Sequence, residues 1–125
     1  MSPAPTAAAR RRAERGGRRA ETLAALLMRL KGFSILARRH KTPLGELDLV
    51  AKRGKLIAFV EVKARANRDA AVEAVTYAAR RRIGGAAGLF LSRRADLADC
   101  AIRYDIIAVS GWRLEHLPDA WRDGE

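Results

Sequence analysis

Residues 45–63 read GELDLVAKRGKLIAFVEVK, and the order of apolar and charged positions in this stretch decides the fold. Side chains two apart on a strand share a face, so Glu46 and Asp48 point together while the aliphatic residues between them form the other face. Arg53-Gly54 interrupts the pattern and predicts a turn that folds the chain back. Beyond it, Leu56-Ile57-Ala58-Phe59-Val60 is apolar on both faces, as in a central strand covered on both sides. That strand ends in Glu61-Val62-Lys63, where Glu61 and Lys63 share a face and Val62 points away. The turn therefore brings Asp48 and Glu61 to one end of a hairpin.

Two further segments flank the hairpin. On the N-terminal side, Ala20, Leu23, Ala24, Leu27 and Leu30 follow helical spacing, and Gly32 is a stop signal, so a helix is expected over 18–31. A short strand is expected over 33–39 and a turn at Thr42-Pro43-Leu44-Gly45. On the C-terminal side, 69–91 is helical in pattern with a kink or break expected at Gly84-Gly85, since each glycine costs about 1 kcal/mol against alanine. A fourth strand follows over 102–109, with a short edge strand over 112–117. The predicted class is α/β, with the order α-β-β-β-α-β and a mixed central sheet flanked by helices.

The chain has 125 residues, the length of a single domain with a core of its own. The expected division is a flexible basic arm over 1–17, one domain over 18–117 and a loosely ordered tail over 118–125. The single cysteine, Cys100, excludes an internal disulfide, and it cannot build a zinc site with only His40 and His116 to help. No stretch approaches a membrane span, and the Ala- and Arg-rich start lacks the apolar core of a secretory signal. A cytoplasmic protein without a membrane partner is expected.

The formal charge is +11, concentrated before Lys41 and in the run Arg80-Arg81-Arg82. Such a surface attracts polyanions, with nucleic acid the expected partner. Arg39, Lys41, Arg80, Arg81 and Arg82 are the candidate phosphate contacts. The two tryptophans and two tyrosines do not interleave with the basic runs, so no stacking platform for single strands is expected.

A carboxylate and an ammonium at the end of a buried strand need a reason, because either charge alone in the interior is costly. Glu61 and Lys63 either neutralise one another, emerge into water, or do chemistry. Asp48 bears on the choice: two neighbouring carboxylates repel unless a cation joins them, and all-oxygen ligation suits Mg²⁺ or Mn²⁺. A lysine beside such an ion can hold or deprotonate the attacking water. Glu21, at the border of the first helix's apolar stripe, is either solvated or a third carboxylate facing the hairpin.

The series Glu21 … Gly45-Glu46-Leu47-Asp48-Leu49-Val50 … Phe59-Val60-Glu61-Val62-Lys63-Ala64-Arg65 … Arg103-Tyr104-Asp105 resembles the YraN-like family of small bacterial proteins over about 20–109. That family is similar to Holliday-junction resolvases and restriction enzymes with the PD-(D/E)xK fold. The resemblance implies a restriction endonuclease-like core and a metal-dependent endonuclease acting on DNA, branched DNA included. Asp48 and Glu61 would be metal ligands, with Glu21 as the helix-borne acid of the site and Lys63 as the catalytic lysine. The backbone carbonyl of Val62 would complete the metal shell, and Mg²⁺ or Mn²⁺ would be the ion. Arg103 and Asp105 match the last motif, as an ion pair or a substrate contact. The chain departs from the pattern at Ala20, where glycine is usual, at Arg39, where asparagine is usual, and at Ala79, where lysine is usual. A homodimer would suit a resolvase, and a nucleic-acid-binding module without turnover is the alternative function.

Overall fold

The hairpin folds as its pattern requires. In the computed structural model, which describes residue 4 and residues 6–125 without the side chains of 12–15, β2 (Gly45–Arg53) and β3 (Leu56–Ala64) pair antiparallel from Arg53↔Leu56 to Leu49↔Val60. Gly54 closes the turn at φ 59°, a left-handed conformation that glycine adopts without steric cost. Ile57, Ala58, Phe59 and Val60 are all buried, as a central strand demands.

Strand β1 (Ser34–Thr42) lies antiparallel on the outer side of β2. The chain then crosses over through helices α2 (Arg68–Ala74) and α3 (Tyr77–Ser92) to β4 (Ala101–Ser110), which runs parallel to β3. Strand β5 (Arg113–Trp121) returns antiparallel to β4, so the sheet order is β1-β2-β3-β4-β5. The parallel β3–β4 pair needs a crossover of this length, which explains why two helices stand between them. Val50, Phe59 and Ile106 pack with Ile83 and Phe90 of α3 in one core. Leu49, Val60 and Ile107 pack with Ala24 and Met28 of α1 (Ala7–Leu30) in the other. The sheet is thus mixed and flanked by helices. Among the described residues no helix is long and apolar enough to cross a membrane.

Three expectations are corrected. Helix α1 starts at Ala7, not at Arg18, so 7–17 is not an unstructured arm; residues 1–3 and 5 lie outside the described residues. Thr6 caps the helix by accepting from Ala9 N at 3.0 Å, and the alanines and arginines that follow are strong helix formers. A solvent-facing helical segment needs no apolar stripe, so periodicity is silent there.

The break after α2 falls at Val75-Thr76, not at Gly84-Gly85. Val75 leaves the helix at ψ 79°, and Thr76 starts a new one by accepting from Ala79 N at 3.1 Å. Gly84 and Gly85 sit inside α3 because the helix is approached closely there: a Cβ would meet Asp123 Oδ1 at 3.2 Å and Leu44 Cδ1 at 3.1 Å.

Nor is 118–121 a loose tail. Strand β5 continues through an irregularity opposite Tyr104 and Ile106, and Trp121 is buried against Tyr104. An edge strand tolerates Pro118, whose missing N–H removes no inner ladder bond.

Candidate metal centre and nucleic-acid surface

Asp48 follows directly from the register. With Leu49 opposite Val60, Asp48 lies beside Glu61, and its Oδ2 accepts from Val62 N at 2.9 Å. That bond ties the aspartate to the strand that carries Glu61 and Lys63. Lys63 Nζ lies 3.5 Å from Glu61 Oε1, so the two charges share a face as alternation requires. Helix α1 packs across the sheet and delivers Glu21 to the same place. A cleft of about 210 Å³ is lined by Glu21, Arg39, Glu46, Asp48, Glu61 and Lys63, among others.

The electrostatics of this cleft are those of crowded acids. Burial, followed by the adjacent Asp48 carboxylate, pushes the Glu61 carboxyl up to about 9, with Lys63 opposing. Burial also raises Glu21, against the hydrogen bond from Arg39 and with Asp48 adding to the rise. Asp48 and Glu61 are the neighbouring carboxylates that could hold a divalent cation here, since a cation would relieve their repulsion.

Glu21 is differently engaged. Arg39 Nε donates to its Oε1 at 2.5 Å. Arg39 stands between the register pairs Arg38↔Leu49 and His40↔Leu47, hence opposite Asp48, in the left-handed region at φ 50°. The guanidinium takes the charge-balancing place beside the third carboxylate. Among the described residues no three acidic, histidine or cysteine side chains stand close enough together to hold one ion.

The other basic candidates divide. Lys41 is exposed on β1 opposite Glu46, which lines the cleft, and is not itself part of the lining. Arg82, also exposed, packs its Cβ near Gly45 at the start of β2. Arg81 is exposed and lies over the Tyr77 ring at 6.0 Å. Arg80 is half-buried, donates to Val75 O at 3.2 Å and lies over Trp121 at 5.6 Å. Arg80, Arg81 and Arg82 do not line the acidic cleft.

Arg103 and Asp105 form an ion pair. Asp105 is fully buried, takes two bonds of 2.8 Å from Arg103, and also receives Asp119 N at 3.0 Å. His116 Nε2 lies 2.7 Å from its Oδ2, while His116 Nδ1 lies 2.8 Å from Lys31 Nζ. Burial alone would raise the Asp105 carboxyl, but the bonds from His116 and Arg103 outweigh it and hold it below the usual carboxylate range. Sequence reasoning did not find His116 or Asp119, which reach Asp105 only because β5 folds back along β4.

A second basic surface was also missed. Arg65, Arg68 and Arg113 line a groove of about 600 Å³ with Ser110 and Glu115. Nothing in their spacing marks them, since they come from a loop, a helix start and a strand start.

The model of the uncharacterised protein family UPF0102 matches residues 20–109. The chain is 52% identical to the UPF0102 protein of Paramagnetospirillum magneticum, over 98% of each chain. It is 54% identical to a UPF0102 protein of a Chelativorans species, over 90% of this chain and 85% of that one. With the UPF0102 protein of Rhizobium etli it shares 53% identity, over 90% of this chain and 93% of that one. The matched region runs from Ala20, beside Glu21, to Val109 at the end of β4, and so holds every residue of the acidic cleft but Gly17; the chain belongs to the UPF0102 family.

Proposed function

We propose that the protein is a metal-dependent endonuclease that cuts DNA, branched DNA included, through a PD-(D/E)xK-type site. The observation that carries this reading is the convergence of Glu21, Asp48, Glu61 and Lys63, from one helix and two strands, on a single cleft of about 210 Å³. Asp48 and Glu61 would hold the Mg²⁺ or Mn²⁺ ion, with Glu21 in the same cleft but paired with Arg39. The ion, when bound, supplies the positive charge that polarises the phosphodiester and stabilises the leaving oxygen. Lys63 Nζ, 3.5 Å from Glu61, would orient the attacking water or take its proton. Asp48 keeps β2 and β3 in register at the reacting end through its bond to Val62 N. Arg39, from β1, lines the cleft and neutralises Glu21.

The test is cleavage of junction, flap, single-stranded and duplex DNA by the full chain with Mg²⁺ or Mn²⁺. Wild type is expected to cut at least one of these, and Asp48→Asn and Glu61→Gln to cut none. No cleavage of any substrate by wild type overturns the proposal.

A second reading, a nucleic-acid-binding module without turnover, draws support from the Arg39–Glu21 pair, which leaves the acids short of a three-ligand set among the described residues. Binding without cleavage in the same assay favours it.

A further inference from the structure

Trp112 is 74% exposed, at the turn between β4 and β5. One exposed apolar ring is common on a protein surface, and what sets this one apart is what surrounds it. It is braced. Arg19 of α1 lays its guanidinium 4.7 Å from the centre of the ring, and its Nη2 donates to Gly111 O at 3.2 Å. Helix and turn are thus locked together with one ring face against a cation. The fold creates this pair, since 93 positions separate the two residues in the chain.

The surroundings are basic. The groove of about 600 Å³ beside the turn includes Gly111 and presents Arg65, Arg68 and Arg113. Glu115, the acid in its wall, is paired with Arg68 at 3.5 Å. Along the chain the groove adjoins the acidic cleft at the end of β3. The lining of the cleft ends at Ala64, and that of the groove begins at Arg65, whose N–H is bonded to Val109 O at 3.1 Å. A strand whose phosphates follow these arginines would run from Trp112 to Lys63.

We infer that Trp112, backed by Arg19, is a stacking platform for an unpaired base of a nucleic-acid strand whose phosphates lie along Arg65, Arg68 and Arg113. This rests on the endonuclease reading and adds the substrate class: nucleic acid with a single-stranded segment beside the cut. Inside a duplex the bases are stacked on one another and only the end pairs keep a free face, whereas every unpaired base has one. The basic groove makes a strand of phosphates the complementary occupant.

The experiment uses the full chain with single-stranded and blunt duplex oligonucleotides, unlabelled for intrinsic fluorescence and end-labelled for affinities by anisotropy, at one salt concentration without divalent ions. The other tryptophan, Trp121, is buried and stacked on Tyr104, so intrinsic fluorescence reports chiefly on Trp112. Single-stranded DNA is expected to quench wild-type fluorescence. Trp112→Ala should weaken single-strand affinity by at least about 5-fold, the lower end for loss of one stacked base, and leave duplex affinity within about 2-fold. Trp112→Phe, which keeps a π-face, should retain most of the affinity. Absence of quenching, equal losses on both substrates, or quenching by anionic phospholipid vesicles in place of oligonucleotide would overturn the proposal. If wild type cuts nothing with Mg²⁺ or Mn²⁺ but the single-strand-selective loss is seen, the platform stands and the nuclease reading fails. If wild type cuts and Trp112→Ala binds single strands as wild type does, the platform fails and the nuclease reading stands.

Discussion

Lys63 and Glu61 stand on one face of β3 with 3.5 Å between their charged atoms, and Asp48 reaches them across the hairpin. Substituting the lysine therefore leaves both proposed ligands in place. Lys63→Met keeps most of the side-chain volume and removes the charge. Cleavage should drop by roughly 10²–10⁴-fold, as for loss of a positioned acid–base group, while calorimetric Mn²⁺ affinity holds or rises. Equal cleavage by wild type and variant would remove Lys63 from the chemistry. Asp105 makes a different kind of residue-level claim. Its folded-state carboxyl lies below the ordinary range, against an unfolded value of about 3.9. A depressed carboxylate contributes stability above its unfolded value and loses it as the pH falls through the folded one. Wild type should therefore lose stability below about pH 4. Asp105→Ala should cost on the order of 3–5 kcal/mol at pH 7, because Arg103 and His116 lose a buried partner. Its urea midpoint should also fall less steeply between pH 4 and pH 2. A parallel fall in both proteins would mean that Asp105 does not carry the acid sensitivity.

At the scale of elements, the second helical region shows which local signals win. Glycine propensity predicted a break at Gly84-Gly85; the cap at Thr76 and close packing against Leu44 and Asp123 decided otherwise. Gly88, by contrast, is exposed on the same helix, and a Cβ there would meet nothing within 4 Å. Gly88→Ala should stabilise the fold by about 0.5–1 kcal/mol, a gain in thermal midpoint set by helix propensity alone. Thr76→Ala should cost about 1 kcal/mol by removing the acceptor for Ala79 N. If Gly88→Ala is destabilising, α3 is approached by something other than solvent at that position.

The whole molecule carries a formal charge of +11 on 125 residues, and the fold spreads that excess over α1, α3 and the groove beside the β4–β5 turn. Binding to DNA should then be strongly electrostatic. The logarithm of affinity should fall linearly with the logarithm of salt, by about 0.9 per phosphate neutralised on duplex. Arg81 and Arg82 are exposed, whereas Arg80 is held by Val75 O and Trp121. Replacing both Arg81 and Arg82 by Gln should reduce the slope by about 1.8, the value for two phosphate contacts. An unchanged slope would place the nucleic acid elsewhere, the Arg65–Arg68–Arg113 groove being the next surface to test.

The sequence by itself determined the mixed α/β class, the central strand and the hairpin that pairs Asp48 with Glu61. These follow from local periodicity: a two-residue repeat and an apolar run record which faces are buried, wherever the partners lie. Glu21 was legible as a candidate only through its place on a helix stripe and through the resemblance. Only the tertiary structure decided that Arg39 pairs with it, because the positive φ at residue 39 and the meeting of α1 with β1 leave no mark in either segment alone. The same holds for Asp105, whose partners His116 and Asp119 come from a strand that returns eleven or more residues later. It holds too for Trp112, which seemed remote from any basic run until α1 placed Arg19 on its ring. Periodicity registers the side of an element that faces the core; the identity of the residue waiting there depends on packing between elements far apart in the chain.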